Sequence, residues 1–229
     1  MSIKVRVWDA PLRVFHWSLV IAVAAAIATG LQGGSWMDRH TTAGLAVVGL
    51  LSFRLAWLVL GSTYARIPAL FSALIALPQY LKGGWRRLGH NPLGVMSMVA
   101  LLLMLGWQAV SGLFTNDEIA FSGPLSRLVS RSDSLYITGL HRLGLWIMVG
   151  LIAVHVLAVL YHVFVLKHNI VKPMLTGDTE KTDEQQQPAT GGGWVAFVVA
   201  LMIAAGGVYL ATGAWQPAPP PPPVSAPAW

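Results

Sequence analysis

Residues 135–166 read LYITGLHRLGLWIMVGLIAVHVLAVLYHVFVL. Apart from Arg142 and three histidines, the run is apolar, small or weakly polar throughout. At ~1.5 Å per residue a helix of this length spans about 48 Å, against the ~30 Å of hydrocarbon in a bilayer. The run therefore predicts a membrane-crossing helix that projects beyond one face. It must be helical, because a span isolated in lipid has to satisfy its own backbone hydrogen bonds.

Four further runs are long and apolar enough to cross: Leu12–Leu31, His40–Leu60, Gly94–Phe114 and Trp194–Ala211. Hydrophobic residues make up 55% of the 229 and charged residues 10%, where soluble domains carry about 25% charged. The class is an all-α integral membrane protein. Lys4 and Arg6 before the first run give it the outline of a signal segment, but His16 and Trp17 at its head suit a permanent span. The chain has no cysteine. Disulfides, thiolate zinc sites, iron–sulfur clusters and covalent c-type haem attachment are thereby excluded. Seven histidines and nine carboxylates remain for cofactor chemistry.

The formal charge of +6 sits in loops beside apolar runs, which suits lipid headgroups and topology control better than nucleic acid. With the N-terminus cytoplasmic, the inner side carries ten Lys and Arg: Lys4, Arg6, Arg13, Arg66, Lys82, Arg86, Arg87, Lys167, Lys172 and Lys181. The outer side carries four: Arg39, Arg127, Arg131 and Arg142. That bias places the N-terminus inside and, after five spans, the C-terminus outside. Gln32–Arg39 reads as a tight outer turn, Arg66–Leu93 as an inner segment lying along the interface, and Thr115–Ser134 as an outer loop long enough to form a docking surface or a cap. Residues 175–193, polar and Gly-rich, read as a flexible cytoplasmic linker. Residues 194–213 hold the fifth span, and 214–229, with a proline run beginning at Pro219, read as an extended periplasmic tail.

Histidines inside spans are costly and usually have a partner. His141 and His155 are fourteen residues apart, ~1,400° of helix rotation, so they share one face and stand ~21 Å apart along the axis. His40 matches the depth of His141, and His16 lies on the inner side with His155. This gives two layers of two histidines. Facing imidazoles suit the two axial positions of a haem iron; a histidine-lined metal or proton pathway and plain helix-to-helix hydrogen bonding also satisfy the spacing. Arg54, fourteen residues after His40, lies on nearly the same face, where a haem propionate would balance its charge. Gly44, Gly49, Gly106, Gly112, Gly144 and Gly150 are small enough to admit a macrocycle. His162, seven residues past His155, suits His16 on depth equally well. His168 reads as a solvated loop residue and His90 as a turn and helix-start residue.

The opening Val7-Trp8-Asp9-x-x-x-Arg13-x-x-His16-Trp17 resembles the start of the bacterial cytochrome b561 and nickel–iron hydrogenase b-type cytochrome family. Gly89-His90-Asn91-Pro92-Leu93-Gly94, then Gln108 and Thr115-Asn116-Asp117-Glu118, and the His141–Leu166 run extend the likeness over about residues 5–174. The resemblance implies a four-helix transmembrane bundle over residues 1–174 binding two non-covalent b haems. By position it implies that His16, His40, His141 and His155 are the axial ligands and that His162 is a neighbour. The fifth helix and tail depart from the four-helix pattern and hold no histidine, so they are expected outside the haem bundle.

The resemblance also implies an electron-transfer protein or oxidoreductase subunit of a bacterial inner-membrane respiratory chain. It would exchange electrons between the quinone pool and a periplasmic redox partner, a c-type cytochrome by the family's example. Asp9, His90, Gln108 and His162 are the polar residues available to a quinone. Some relatives in the broader family oxidise superoxide at the outer surface and pass the electron to quinone. Arg39, Arg127, Arg131 and Arg142 would supply the anion steering that this needs. A haem-free transporter using the histidines for protons or a metal is the remaining class.

Overall fold

A computed structural model describes residues 4–85, 87–180 and 186–217. Five helical stretches among them are long and apolar enough to cross a membrane, and the chain is a multi-pass membrane protein. Helix α1 spans Ala10–Gln32, α2 Met37–Leu60, α5 Pro92–Leu113, α6 Arg131–Leu160 and α8 Trp194–Thr212. Each starts within four residues of its predicted boundary. The shifts have local causes. Asp9 caps α1 by accepting from Leu12 N at 2.7 Å, and Asn91 caps α5 by accepting from Gly94 N at 2.7 Å. Both caps are followed by a proline in the first turn, where its missing N–H costs nothing. Ser130 caps α6 from Asp133 N at 3.1 Å and so starts that helix in the loop. At its other end α6 relaxes into a π turn, Tyr161–Val165, which carries His162. The long span thus projects beyond a bilayer's thickness as expected.

α1 and α2 form one tight hairpin, closed by Gly33 and Gly34 at φ of 63° and 54°, which glycine adopts without a Cβ clash. α5 and α6 form a second hairpin through the longer loop 114–130. The hairpins meet mainly along α2 and α5, while α1 and α6 make little direct contact. A cleft is left between them. α8 packs along α2, with Gly207 against Ser52 and Gly49 against Val208.

The end of the bundle that holds the N-terminus, here the proximal end, carries most of the ordered polar structure. Two short helices, α3 Ile67–Ile75 and α4 Leu77–Leu81, occupy the segment expected to lie along the interface. Leu70 and Ala73 of α3 pack against Val95 of α5, while Phe71 and Ile75 point outward. The short helix α7 spans Val171–Thr176, and strand β1, Lys4–Arg6, pairs antiparallel with β2, Asp178–Glu180.

The described residues of the segment 175–193, expected as a linker, make contacts with the rest of the proximal end. Arg13 donates to the Leu175 carbonyl, and Trp17 Nε1 to that of Met174 at 3.2 Å. Ala189 N donates to Arg6 O at 2.8 Å, Thr63 N to Thr190 O at 2.9 Å, and Tyr64 O–H to Gln187 O at 2.6 Å. These backbone pairings tie the segment across the proximal end. Lys181 and Arg86, counted in the charge bias, and most of the proline tail lie outside the described residues.

Candidate functional site

The cleft brings His40 and His141 together at the distal end. Their ring centroids are 6.1 Å apart with planes at 83°. Two nitrogen–metal bonds of about 2 Å plus the half-widths of two imidazoles also come to about 6 Å. His40 uses Nδ1 on the Ala26 carbonyl at 2.8 Å, and His141 uses Nδ1 on Ser111 Oγ at 3.1 Å. Each ring is thereby held with Nε2 as its free nitrogen. A cavity of about 360 Å³ surrounds the pair, walled by Val23, Ile27, Leu105, Leu145 and Met148 among others. Gly30 and Gly112 lie directly against the two imidazoles; a Cβ on Gly30 would fall 2.9 Å from His40 Cε1, and one on Gly112 3.1 Å from His141 Cε1.

His16 and His155 form the other layer, near the proximal end. They lie on opposite walls of the cleft within electrostatic reach of each other. Ser97 Oγ stands 3.5 Å from His155 Nδ1, and His16 Nδ1 is buried with no hydrogen-bond partner among the described residues.

Arg54 is almost wholly buried, at 1% exposure. Its guanidinium donates to the Ala65 carbonyl at 3.1 Å and approaches Met98 Sδ at 3.6 Å. Fourteen residues from His40 along α2, Arg54 lies at the proximal end. Asp9, besides capping α1, accepts from Trp57 Nε1 at 3.1 Å and from Ser62 Oγ. Gln108 sits one turn from Ser111 in the distal cavity, its Oε1 buried without a partner.

His90 departs from its expected place. The helix-start role belongs to Asn91, and the His90 ring packs under Trp8, centroids 4.6 Å apart, with Nδ1 enclosed and unpartnered. It joins the proximal layer. Burial pushes its pKa down to about 4, with Arg54, His16 and His155 adding to the effect, so the ring is neutral at pH 7. The same region holds a cavity of about 390 Å³ lined by His90, Tyr64, Trp85, Arg87 and Gln187. His162 is carried on the π turn, and His168 is exposed. Two of the glycines expected to face a macrocycle serve helix packing instead: Gly49 admits Val208 of α8, and Gly144 admits Gln108. Gly30, in contact with His40, is the one that sequence reasoning missed; a small residue in an Ala-rich run gives no signal of which way it faces.

The model of one family, prokaryotic cytochrome b561, matches residues 7–177. The chain belongs to that family. Among curated proteins, this cytochrome is similar to the probable Ni/Fe-hydrogenase 1 B-type cytochrome subunit of Escherichia coli K12. The two are 23% identical over 210 residues, covering 75% of this chain and 88% of that one. The probable Ni/Fe-hydrogenase B-type cytochrome subunits of Rhodobacter capsulatus and Azotobacter vinelandii are 22% and 24% identical, over 80% and 76% of this chain and 84% and 87% of theirs. No solved structure matches this cytochrome. The group implied for a b-type cytochrome is haem b. The facing histidines, the flanking glycines and the apolar cleft are a donor set and a shape that fit it.

Proposed function

We propose that this cytochrome holds two b haems, one between His40 and His141 and one between His16 and His155, and carries electrons across the bacterial inner membrane. The observation that supports this most is the 6.1 Å separation of the His40 and His141 rings, each with Nδ1 engaged in its own wall of the cleft. Bound haem would supply a one-electron carrier at each layer. The protein's part is to hold four imidazoles on three helices, to keep water from the cleft with aliphatic walls, and to fix each ring by its second nitrogen. Arg54 gives the proximal layer a buried positive charge suited to a propionate.

The proximal end is the cytoplasmic one on this reading, following the ten-to-four excess of Lys and Arg. The proximal cavity beside His90 is the slot assigned to a quinone headgroup. Its lining pairs aromatic surface from Tyr64 and Trp85 with a neutral imidazole able to exchange a hydrogen bond or a proton. At the distal end the loop 114–130 is ordered by Asp117, whose Oδ1 accepts from the N–H groups of Ile119, Ala120 and Phe121 at 2.8–3.0 Å. That loop is the docking surface assigned to a periplasmic redox partner. The names of the relatives point to a hydrogenase-type enzyme as that partner; a c-type cytochrome is the other redox partner the family's pattern allows.

The test is the reduced-minus-oxidised spectrum of the purified chain, with haem quantified per chain as the pyridine haemochrome. Two haems are expected. Each of His16→Ala, His40→Ala, His141→Ala and His155→Ala should lose one, and His162→Ala should keep both. His90→Ala should keep both haems and slow their reduction by a quinol. A folded chain without haem would overturn the proposal, as would loss of a haem in His162→Ala.

A further inference from the structure

The two histidine layers differ in how the second ring nitrogen is held. In the distal layer both are engaged: His40 Nδ1–H donates to the Ala26 carbonyl at 2.8 Å and His141 Nδ1–H to Ser111 Oγ at 3.1 Å. The Ser111 hydroxyl then donates onward to the Gln108 carbonyl at 3.3 Å, which leaves its lone pairs for His141. Among the described residues the proximal layer offers one approach to a second nitrogen, the 3.5 Å separation of Ser97 Oγ and His155 Nδ1, too long for a strong bond, and His16 Nδ1 has no partner there.

An N–H given to an acceptor moves electron density onto the opposite nitrogen and makes it a stronger donor to a metal. A stronger donor favours the oxidised centre, which carries one more positive charge. Charges stand near both layers: Arg54 is buried at the proximal end beside Asp9, and Arg142 is within electrostatic reach of His141 at the distal one, with Asp117 of opposite sign on the same cavity wall. The difference between the layers therefore rests on how the second ring nitrogens are held.

We propose that Ser111 is a positioning residue for His141 and that, by accepting its Nδ1–H, it sets the reduction potential of the distal centre below that of the proximal one. The proposal rests on the reading that these histidine pairs each hold a haem. It ranks the two centres without reference to any partner, and it assigns a part of the difference to one hydroxyl on α5, beside the part that the His40–Ala26 bond supplies.

Potentiometric titration of the haem absorbance in the detergent-solubilised full chain tests this. The wild type should titrate as two components. Ser111→Ala should shift the reduction equilibrium of the lower component by about threefold to tenfold toward the reduced form, some 30–60 mV at 59 mV per decade. The upper component should stay in place. Ser111→Thr, which keeps a hydroxyl, should restore the wild-type value. Ser111→Cys, a weaker acceptor of nearly the same shape, should give a smaller shift and serves if the alanine variant does not fold. A lower component unmoved in Ser111→Ala and Ser111→Cys, or a shift confined to the upper one, would overturn the inference. Haem counts separate this from the underlying reading: one haem per wild-type chain, or two retained in His141→Ala, defeats the ligand assignment itself.

Discussion

Replacing Gly30 with alanine tests how closely the bundle is built around His40. The new Cβ would stand 2.9 Å from both Cε1 and Nδ1 of the imidazole, closer than carbon and nitrogen tolerate, so the ring must move. It cannot swing freely, because Nδ1 is bonded to the Ala26 carbonyl at 2.8 Å on the same helix as Gly30. Overpacking of this kind costs about 1–3 kcal/mol, and loss of the hydrogen bond adds about 1 kcal/mol. The sum, roughly 2–4 kcal/mol, is about a 30- to 1,000-fold weaker hold on a ligand that needs His40 in place. The alanine variant should purify with haem falling from two per chain toward one, measured as the pyridine haemochrome. The remaining spectral component should match that left by His40→Ala. Gly206→Ala is the control: it lies on α8, outside the cavity wall, with nothing within 4 Å of the added methyl, and it should keep both haems. A Gly30→Ala chain with two haems and an unchanged spectrum would refute the reasoning.

Asp9→Ala removes the α1 cap and leaves Trp57 Nε1, on a fully buried indole, without its acceptor. It should cost about 2–4 kcal/mol, seen as a lower thermal unfolding midpoint in detergent, with Asp9→Asn retaining the cap and losing less. The depressed pKa of His90, about 4, means that the folded chain favours the neutral ring. Its contribution is whole above the unfolded value near 6.5 and is lost as pH falls from there toward 4. His90→Gln should therefore flatten the fall in thermal stability between pH 6.5 and 4; an unchanged slope would show that the ring is not enclosed. Gly207→Leu would drive a side chain into Ser52 and push α8 off α2. It should lower the unfolding midpoint while both haems remain, because α8 carries no histidine.

The spans and the pairing of histidines by depth were legible because both follow from counting: hydropathy over some twenty residues, and rotation of 100° per residue. His90 was not legible. Its place depends on Trp8, eighty-two positions away, being held over it by the β1–β2 pairing and the Asp9 cap, and nothing in Gly89-His90-Asn91-Pro92 distinguishes that from an ordinary capped turn. The contacts of the segment after residue 175 were not legible either, for a related reason. Its order comes from backbone groups of Gln187, Ala189 and Thr190 bonded to distant residues, and backbone partners leave no trace in side-chain composition.

The same rotation explains where the fifth helix sits. From His40 to Gly49 is nine residues, ~900°, or half a turn beyond two full turns. Gly49 and Ser52 therefore lie on the side of α2 away from the histidine cleft, and it is these that α8 meets through Val208 and Gly207. Phe197 of α8 continues the contact against Phe53 and Trp57 at centroid distances of 6.0 and 6.4 Å. α2 is thus packed on both sides, by α8 behind and by α1 and α5 in front. In lipid, helices associate by close packing of small residues because there is no hydrophobic gain from leaving the hydrocarbon. Gly49 and Ser52, on the face of α2 away from His40, let α8 close against that helix from behind, adding packing to the bundle without adding a ligand of its own.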